Sequence, residues 1–283
     1  MEMPMRSTSV IVVIGVGGMG KAIARRQGAG GTLLLADFDE RLLGIVAEEL
    51  RGQGHTVVTE AVDVSERASV AALADTAAKL GPVIQVVHTA GLSPVQAPGK
   101  AILAVDLLGT ALVLEEFGRV IAPGGAGVVI ASMAGHMPGP ATLSPEREQA
   151  LAHTPADDLL ALPFLDPEEL GARGAYPLSK YANRLRVQAA STQWGERGAR
   201  VNSISPGVIS TPMGRQELAG ESGRHMKAMV EASGTGRLGT PDDIAAAAAF
   251  LLGPDASFVT GNDLLVDGGV VAALRSGRLT AGA

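Results

Sequence analysis

Tyr176 and Lys180 stand four residues apart in a stretch, about 175–197, that reads as one long helix. That spacing puts both side chains on one helix face, a turn apart. A phenol with a pKa near 10 is a poor acid–base at neutral pH. An adjacent ammonium stabilises the phenolate and lowers that value, which turns the pair into a proton-transfer device. Tyr181, the other of two tyrosines in the chain, points well away from the Tyr176–Lys180 edge and reads as packing. Ser132, within Ser132-Met133-Ala134-Gly135, could present a hydroxyl beside such a phenol, or could be a turn hydroxyl at a strand end.

A second pattern binds rather than reacts. Gly15-x-Gly17-x-x-Gly20 follows the apolar β-branched run Val10 to Ile14 and opens a helix, and Asp37 stands seventeen residues beyond Gly20. With 37 glycines in 283 residues, about twice the usual share, the glycines alone would be weak; the flanks give them meaning. Gly15 suits a tight turn, Gly17 a close approach of backbone to a pyrophosphate, and Gly20 tight packing of helix on strand. The helix N-terminus then meets the anion with free N–H groups and its dipole. Asp37 would accept from both adenosine ribose hydroxyls and repel a 2′-phosphate, so NAD is the expected cofactor.

These residues require elements to hold them. Strands are expected at 10–14, 32–36, 56–62, 83–88, 126–131, 199–204 and 264–266. Helices are expected at 21–27, 39–51, 66–80, 99–121, 175–197 and from Pro241 to about 252, where Thr240 serves as N-cap. Short buried strands alternating with helices imply an α/β, Rossmann-type, doubly wound parallel sheet, a single domain with helices on both faces. Residues 136–174 and 212–239 break the rhythm and read as an insertion and a substrate lid, each made of loops or small helices. Residues 1–8 and 273–283 read as tails. His136, His153 and His225 have no partner at ligand spacing and read as solvated loop residues; the acids at 157–158 and 166–169 read as solvated loop and cap residues, so no metal site is expected.

Composition excludes other classes. With no cysteine, there is no disulfide framework, thiolate nucleophile or Cys-ligated metal. A net charge of −6 without a basic block argues against nucleic acid or an anionic membrane as partner. No apolar run approaches the roughly 18 residues of a membrane span, and Met1 to Ser9 lack a signal-peptide layout. The expectation is a soluble cytoplasmic protein acting on a small molecule.

Seven signals fall in one order: Gly15 to Gly20, Asp37, Asp63-Val64, Ala90-Gly91, Ser132 to Gly135, Tyr176-Pro177-Leu178-Ser179-Lys180, and Pro206-Gly207-Val208-Ile209-Ser210-Thr211-Pro212. In that order the chain resembles the short-chain dehydrogenase/reductases over about residues 9–272. The 44-residue gap between Ser132 and Tyr176 is similar to that of the bacterial 3α-hydroxysteroid dehydrogenase/carbonyl reductase subgroup. The resemblance implies that Ser132 binds the substrate oxygen, Tyr176 exchanges its proton, and Lys180 binds the nicotinamide ribose. It implies that Asp63 meets the adenine amino group, or is a plain strand-end acid, and that Ile209 and Thr211 hold the carboxamide. Gly18, Met19, Phe38, Val64, Ala90, Gly91, Pro206, Gly207 and Met213 would complete the cofactor site. A homodimer or homotetramer is implied.

Two departures stand out. His88-Thr89 replaces the family's paired asparagines, and His88 reads as structural. Asp106 replaces the family's fourth catalytic residue, an Asn that anchors a proton-relay water; an ionised Asp accepts hydrogen bonds but cannot donate. Asp106 is expected either in that relay or in a helix-local role. The leading expectation is an NAD-dependent oxidoreductase for a secondary alcohol and ketone, on a hydrophobic or cyclic substrate. The alternative is a catalytically silent dinucleotide-binding regulator.

Overall fold

The computed structural model describes residues 8–137 and 143–278. Most of the expected N-terminal tail, the end of the C-terminal tail and part of the 136–174 insertion lie outside them. Seven parallel strands form one sheet in the order β3-β2-β1-β4-β5-β6-β7. They are β1 (Val10–Ile14), β2 (Thr32–Asp37), β3 (Thr56–Ala61), β4 (Val83–His88), β5 (Ile121–Ile130), β6 (Arg200–Pro206) and β7 (Asp263–Val266). The order reverses between β1 and β4, which leaves a crevice at their C-terminal ends.

Both faces are covered because the strands are apolar on both sides. Val10, Val12 and Ile14 of β1 pack with residues of α3 (Arg67–Leu80), α5 (Gly109–Val120) and α8 (Pro167–Glu196). Ile11 and Val13 pack with α1 (Gly18–Gln27), α2 (Glu40–Gly52) and α11 (Pro241–Leu252). The architecture is the single-domain, doubly wound α/β fold of the Rossmann type. Thr240 is the N-cap of α11, as the sequence indicates, and the structure adds a reciprocal Thr240–Asp243 capping box.

Several boundaries differ from expectation. The stretch 99–121 is not one α-helix: α4 (Gly99–Ile102) passes into a π-helical stretch, Leu103–Leu108, before α5 begins. Apolar periodicity does not show this, because the π-helical stretch is apolar throughout except at Asp106 and so hides a one-residue slip in phase. Within α8, a short helical segment from Pro167, capped by Asp166, is broken from the expected long helix at Gly171, whose backbone is non-helical with φ 55°. Strand β5 begins at Ile121 rather than 126. The insertion carries α6 (Pro145–His153) and α7 (Ala156–Leu159). The 212–239 segment carries α9 (Pro212–Ala219) and α10 (Gly223–Ala232), and the start of the expected C-terminal tail belongs to α12 (Val270–Arg275). Among the described residues no helix is long and apolar enough to cross a membrane.

Candidate active site

The glycine turn sits where β1 meets α1. Gly15 has φ 89°, and a Cβ there would lie 2.5 Å from the Ala90 nitrogen. A Cβ on Gly20 would lie 1.8 Å from the Gly15 carbonyl oxygen, so the helix can start this close to the strand only with glycine. A Cβ on Gly17, by contrast, would meet nothing within 4 Å: the turn is open on that side. Helix α1 has no side-chain cap and no acid in its first turn, so its leading N–H groups suit an anion. Thr89 Oγ1 donates to the Gly15 carbonyl at 2.6 Å and fixes the turn to the end of β4.

Around this turn the other cofactor candidates assemble. Asp37 ends β2, and Phe38 beside it is 76% exposed. Asp63 Oδ1 accepts from the backbone N–H and hydroxyl of Ser65, and Val64 is buried against Gly109. On the opposite wall, a Cβ on Gly18 would lie 2.9 Å from the Thr211 methyl, so Gly18 and Met19 run beside the start of α9. Thr211 caps α9 through Oγ1, which accepts from Gly214, and Met213 lies half-buried in its first turn. Pro206 ends β6, Gly207 packs against Asp267, and Ile209 bridges to Gly239. This crevice, with the uncapped α1 N-terminus and Asp37 at the end of β2 beside it, fits a nicotinamide dinucleotide.

The candidate reacting groups lie beyond β4 and β5. Ser132 opens a 3₁₀ turn, Met133–His136, its Oγ accepting from the Ala134 N–H at 3.1 Å. Helix α8 carries Tyr176 and Lys180 on one edge, with Lys180 Nζ 5.6 Å from the Tyr176 ring centroid. The Ser132 hydroxyl lies beside the Tyr176 phenol and favours its ionised form, as does Lys180. Burial outweighs both and pushes the phenol above its ordinary value, with Asp106 and Glu217 adding to the rise.

Asp106 lies in the π-helical stretch, wholly buried. Its Oδ1 accepts from the Leu92 N–H at 2.7 Å, and its Oδ2 is 3.1 Å from Lys180 Nζ. Asp106, expected in a proton relay or in a helix-local role, is thus a direct ion-pair partner of Lys180. Gly91 makes room for the pair: a Cβ there would lie 3.1 Å from Lys180 Nζ and 3.4 Å from Asp106 Oδ2. Burial works against the Lys180 ammonium, but Asp106 and the phenol hold its pKa above the ordinary value. Burial pushes the Asp106 carboxyl up, opposed by Lys180 and the Leu92 N–H. His88 is buried and structural, its pKa lowered to about 3 by burial and by Lys180.

Other candidates fall elsewhere. His136 is not solvated: its Nε2 is 2.7 Å from Asp263 Oδ2, and both side chains are nearly buried. Ser203 and Ser205 donate to the other Asp263 oxygen, at 2.6 and 3.0 Å. Their same-face spacing on β6 was the available signal. His225 is half-buried on α10 rather than in a loop, whereas His153 is exposed at the end of α6. Asp157 pairs with Arg67 at 2.7 Å. Tyr181 is more than packing: its hydroxyl donates to Glu148 and ties α6 to α8. No cluster of three potential metal ligands occurs among the described residues. Glu217 of α9 was missed by the sequence reading. It is half-buried, near Ser93, and close enough to Tyr176 to act on its charge.

Residues 9–144 match the family described as short chain dehydrogenase, and residues 168–271 match the one described as Enoyl-(Acyl carrier protein) reductase. The chain is 43% identical over 272 residues to short-chain dehydrogenase/reductase bsc3 of Alternaria brassicicola, covering 95% of this chain and 97% of that protein. It is 31% identical to D-threitol dehydrogenase of Mycolicibacterium smegmatis, covering 89% and 88%. Its fold matches the crystal structure of levodione reductase with a TM-score of 0.76 at 24% identity, covering 94% and 98%. The chain belongs to the short-chain dehydrogenase/reductase family, whose members use a nicotinamide dinucleotide.

Proposed function

We propose that this protein is an NAD-dependent oxidoreductase interconverting a secondary alcohol and a ketone. The observation that carries the reading is the convergence of Ser132, Tyr176 and Lys180 beside the open glycine turn. The cofactor supplies or accepts hydride at the carbinol carbon. Gly15, Gly17 and the α1 N-terminus hold its pyrophosphate, and Asp37 holds the adenosine ribose and repels a 2′-phosphate. Ser132 orients the substrate oxygen, Tyr176 moves its proton, and Lys180 stays charged beside the nicotinamide ribose. The substrate carries a hydrophobic or cyclic frame, of which a hydroxysteroid is one example. Residues 212–239 form the lid: Leu218, Met226, Met229 and Val230 give it an apolar core of its own against Val208, Val270 and Val271. Glu217 and Ser93 favour a second reading, a polyol, as the name of the D-threitol relative suggests.

The protein acts as a homodimer or homotetramer in the cytoplasm. The test is NADH oxidation with a panel of cyclic ketones and NAD reduction with the matching alcohols and polyols. Turnover that requires Tyr176 supports the reading. NADH binding without turnover across the panel replaces it with the catalytically silent regulator.

A further inference from the structure

An ion pair at the heart of an acid–base site changes what that site does best. The Lys180 ammonium has a carboxylate 3.1 Å away. Neither side chain is free to turn aside. Asp106 is wholly buried, its second oxygen is taken by Leu92, and Gly91 leaves no more room than the pair needs. Lys180 Nζ also lies 3.4 Å from the Ile130 carbonyl. To a phenol one helical turn away, such a pair presents a dipole in place of a net positive charge.

We propose that Asp106 is the built-in counter-ion of Lys180, a positioning residue that keeps Tyr176 as a neutral phenol and so suits the site to carbonyl reduction near neutral pH. Alcohol oxidation, which needs the phenolate, then becomes an alkaline reaction. This rests on the catalytic reading of Tyr176 given above. The charged and titratable groups facing Tyr176 are Lys180 on its own helix, Asp106 from the π-helical stretch and Glu217 from α9; Ser132 adds a neutral hydroxyl. His88 of β4 faces Lys180 and is uncharged. Two carboxyl groups thus oppose one ammonium. In the reductive step the carbonyl carbon accepts hydride from reduced nicotinamide, the C=O π bond opens, and the oxygen takes the Tyr176 proton. The ketone is reduced, the nicotinamide is oxidised, and the phenolate regains its proton from water.

The experiment begins without cofactor. In a Tyr181→Phe protein, Tyr176 is the one remaining tyrosine, and ultraviolet difference titration reads its ionisation directly. The midpoint is expected above the ordinary value of about 10, and Asp106→Asn in the same background is expected to lower it by about one unit or more. A parent midpoint below about 9 overturns the proposal even where the Asp106 variant does not fold. So does a midpoint that Asp106→Asn leaves in place. With cofactor, the alkaline limb of alcohol oxidation is expected to move down by the same amount, with reduction near neutrality slower. If Tyr176 titrates high but no carbonyl turns over, the functional reading falls and the reductive assignment falls with it. If carbonyls turn over and neither midpoint nor limb moves, the counter-ion role alone is wrong.

Discussion

The carboxylate of Asp37 accepts a hydrogen bond from the backbone N–H of Val16 at 2.7 Å. One acid at the end of β2 therefore braces the turn between β1 and α1. Its other oxygen accepts from the Asp39 N–H at 3.0 Å. With Asp37 assigned to the adenosine ribose, as proposed above, selection of the nucleotide and the shape of the glycine turn would be coupled in one side chain.

That coupling has a measurable result. Wild type is expected to use NADH at least tenfold better than NADPH by kcat/KM. Asp37→Ala should narrow the ratio and also weaken NADH binding, because Val16 loses its acceptor. Equal or better use of NADPH by the wild type contradicts the assignment.

Tyr176→Phe should reduce turnover by about 10²-fold or more, the usual scale of a lost general acid–base. NADH affinity should change little, since the phenol hydroxyl is not needed to seat the nucleotide. Substantial residual activity in steady-state assays would remove Tyr176 from the proton path.

Lys180→Met should lose stability as well as activity. It strands a buried carboxylate, and breaking a buried pair costs about 3–5 kcal/mol. Adding Asp106→Leu should recover most of that loss without recovering turnover. Denaturant unfolding of the two variants decides: equal stability would mean that Asp106 is not ionised in the folded protein.

His88 gives the fold an acid weakness. Its pKa is lowered from 6.5 to about 3 in the folded chain, so the unfolded chain binds the proton first. Its neutral burial therefore supports the fold fully above pH 6.5 and loses ground as pH falls toward 3, at up to ~1.4 kcal/mol per pH unit. His88→Gln should flatten this part of the stability curve. Parallel wild-type and variant curves through that window would rule His88 out as the cause.

The sheet was legible because Val10 to Ile14 are apolar without interruption, as a strand covered on both faces must be. The glycine turn, Asp37, Ser132, Tyr176 and Lys180 were legible because spacing and order carry them. Asp106 was visible as an odd residue, yet its contact with Lys180 depends on a π-helical turn that no periodicity displays. His136 was misjudged because its partner, Asp263, is 127 positions away on the last strand. Glu217 gave no signal, being one acid among many polar residues in a segment whose fold is set by its apolar cluster.

The π-helical stretch from Leu103 to Leu108 also dictates how this chain can vary. A π turn holds one residue more than an α turn, and removing a residue from a helix rotates everything beyond it by about 100°. A single deletion there would restore an even α-helix and force a choice. Either Asp106 swings away from Lys180, or the face of α5 bearing Ala111, Leu112 and Phe117 turns out of the core. Substitutions can be tried one at a time in this segment, but its length cannot drift: the reading frame of the helix is itself part of the site.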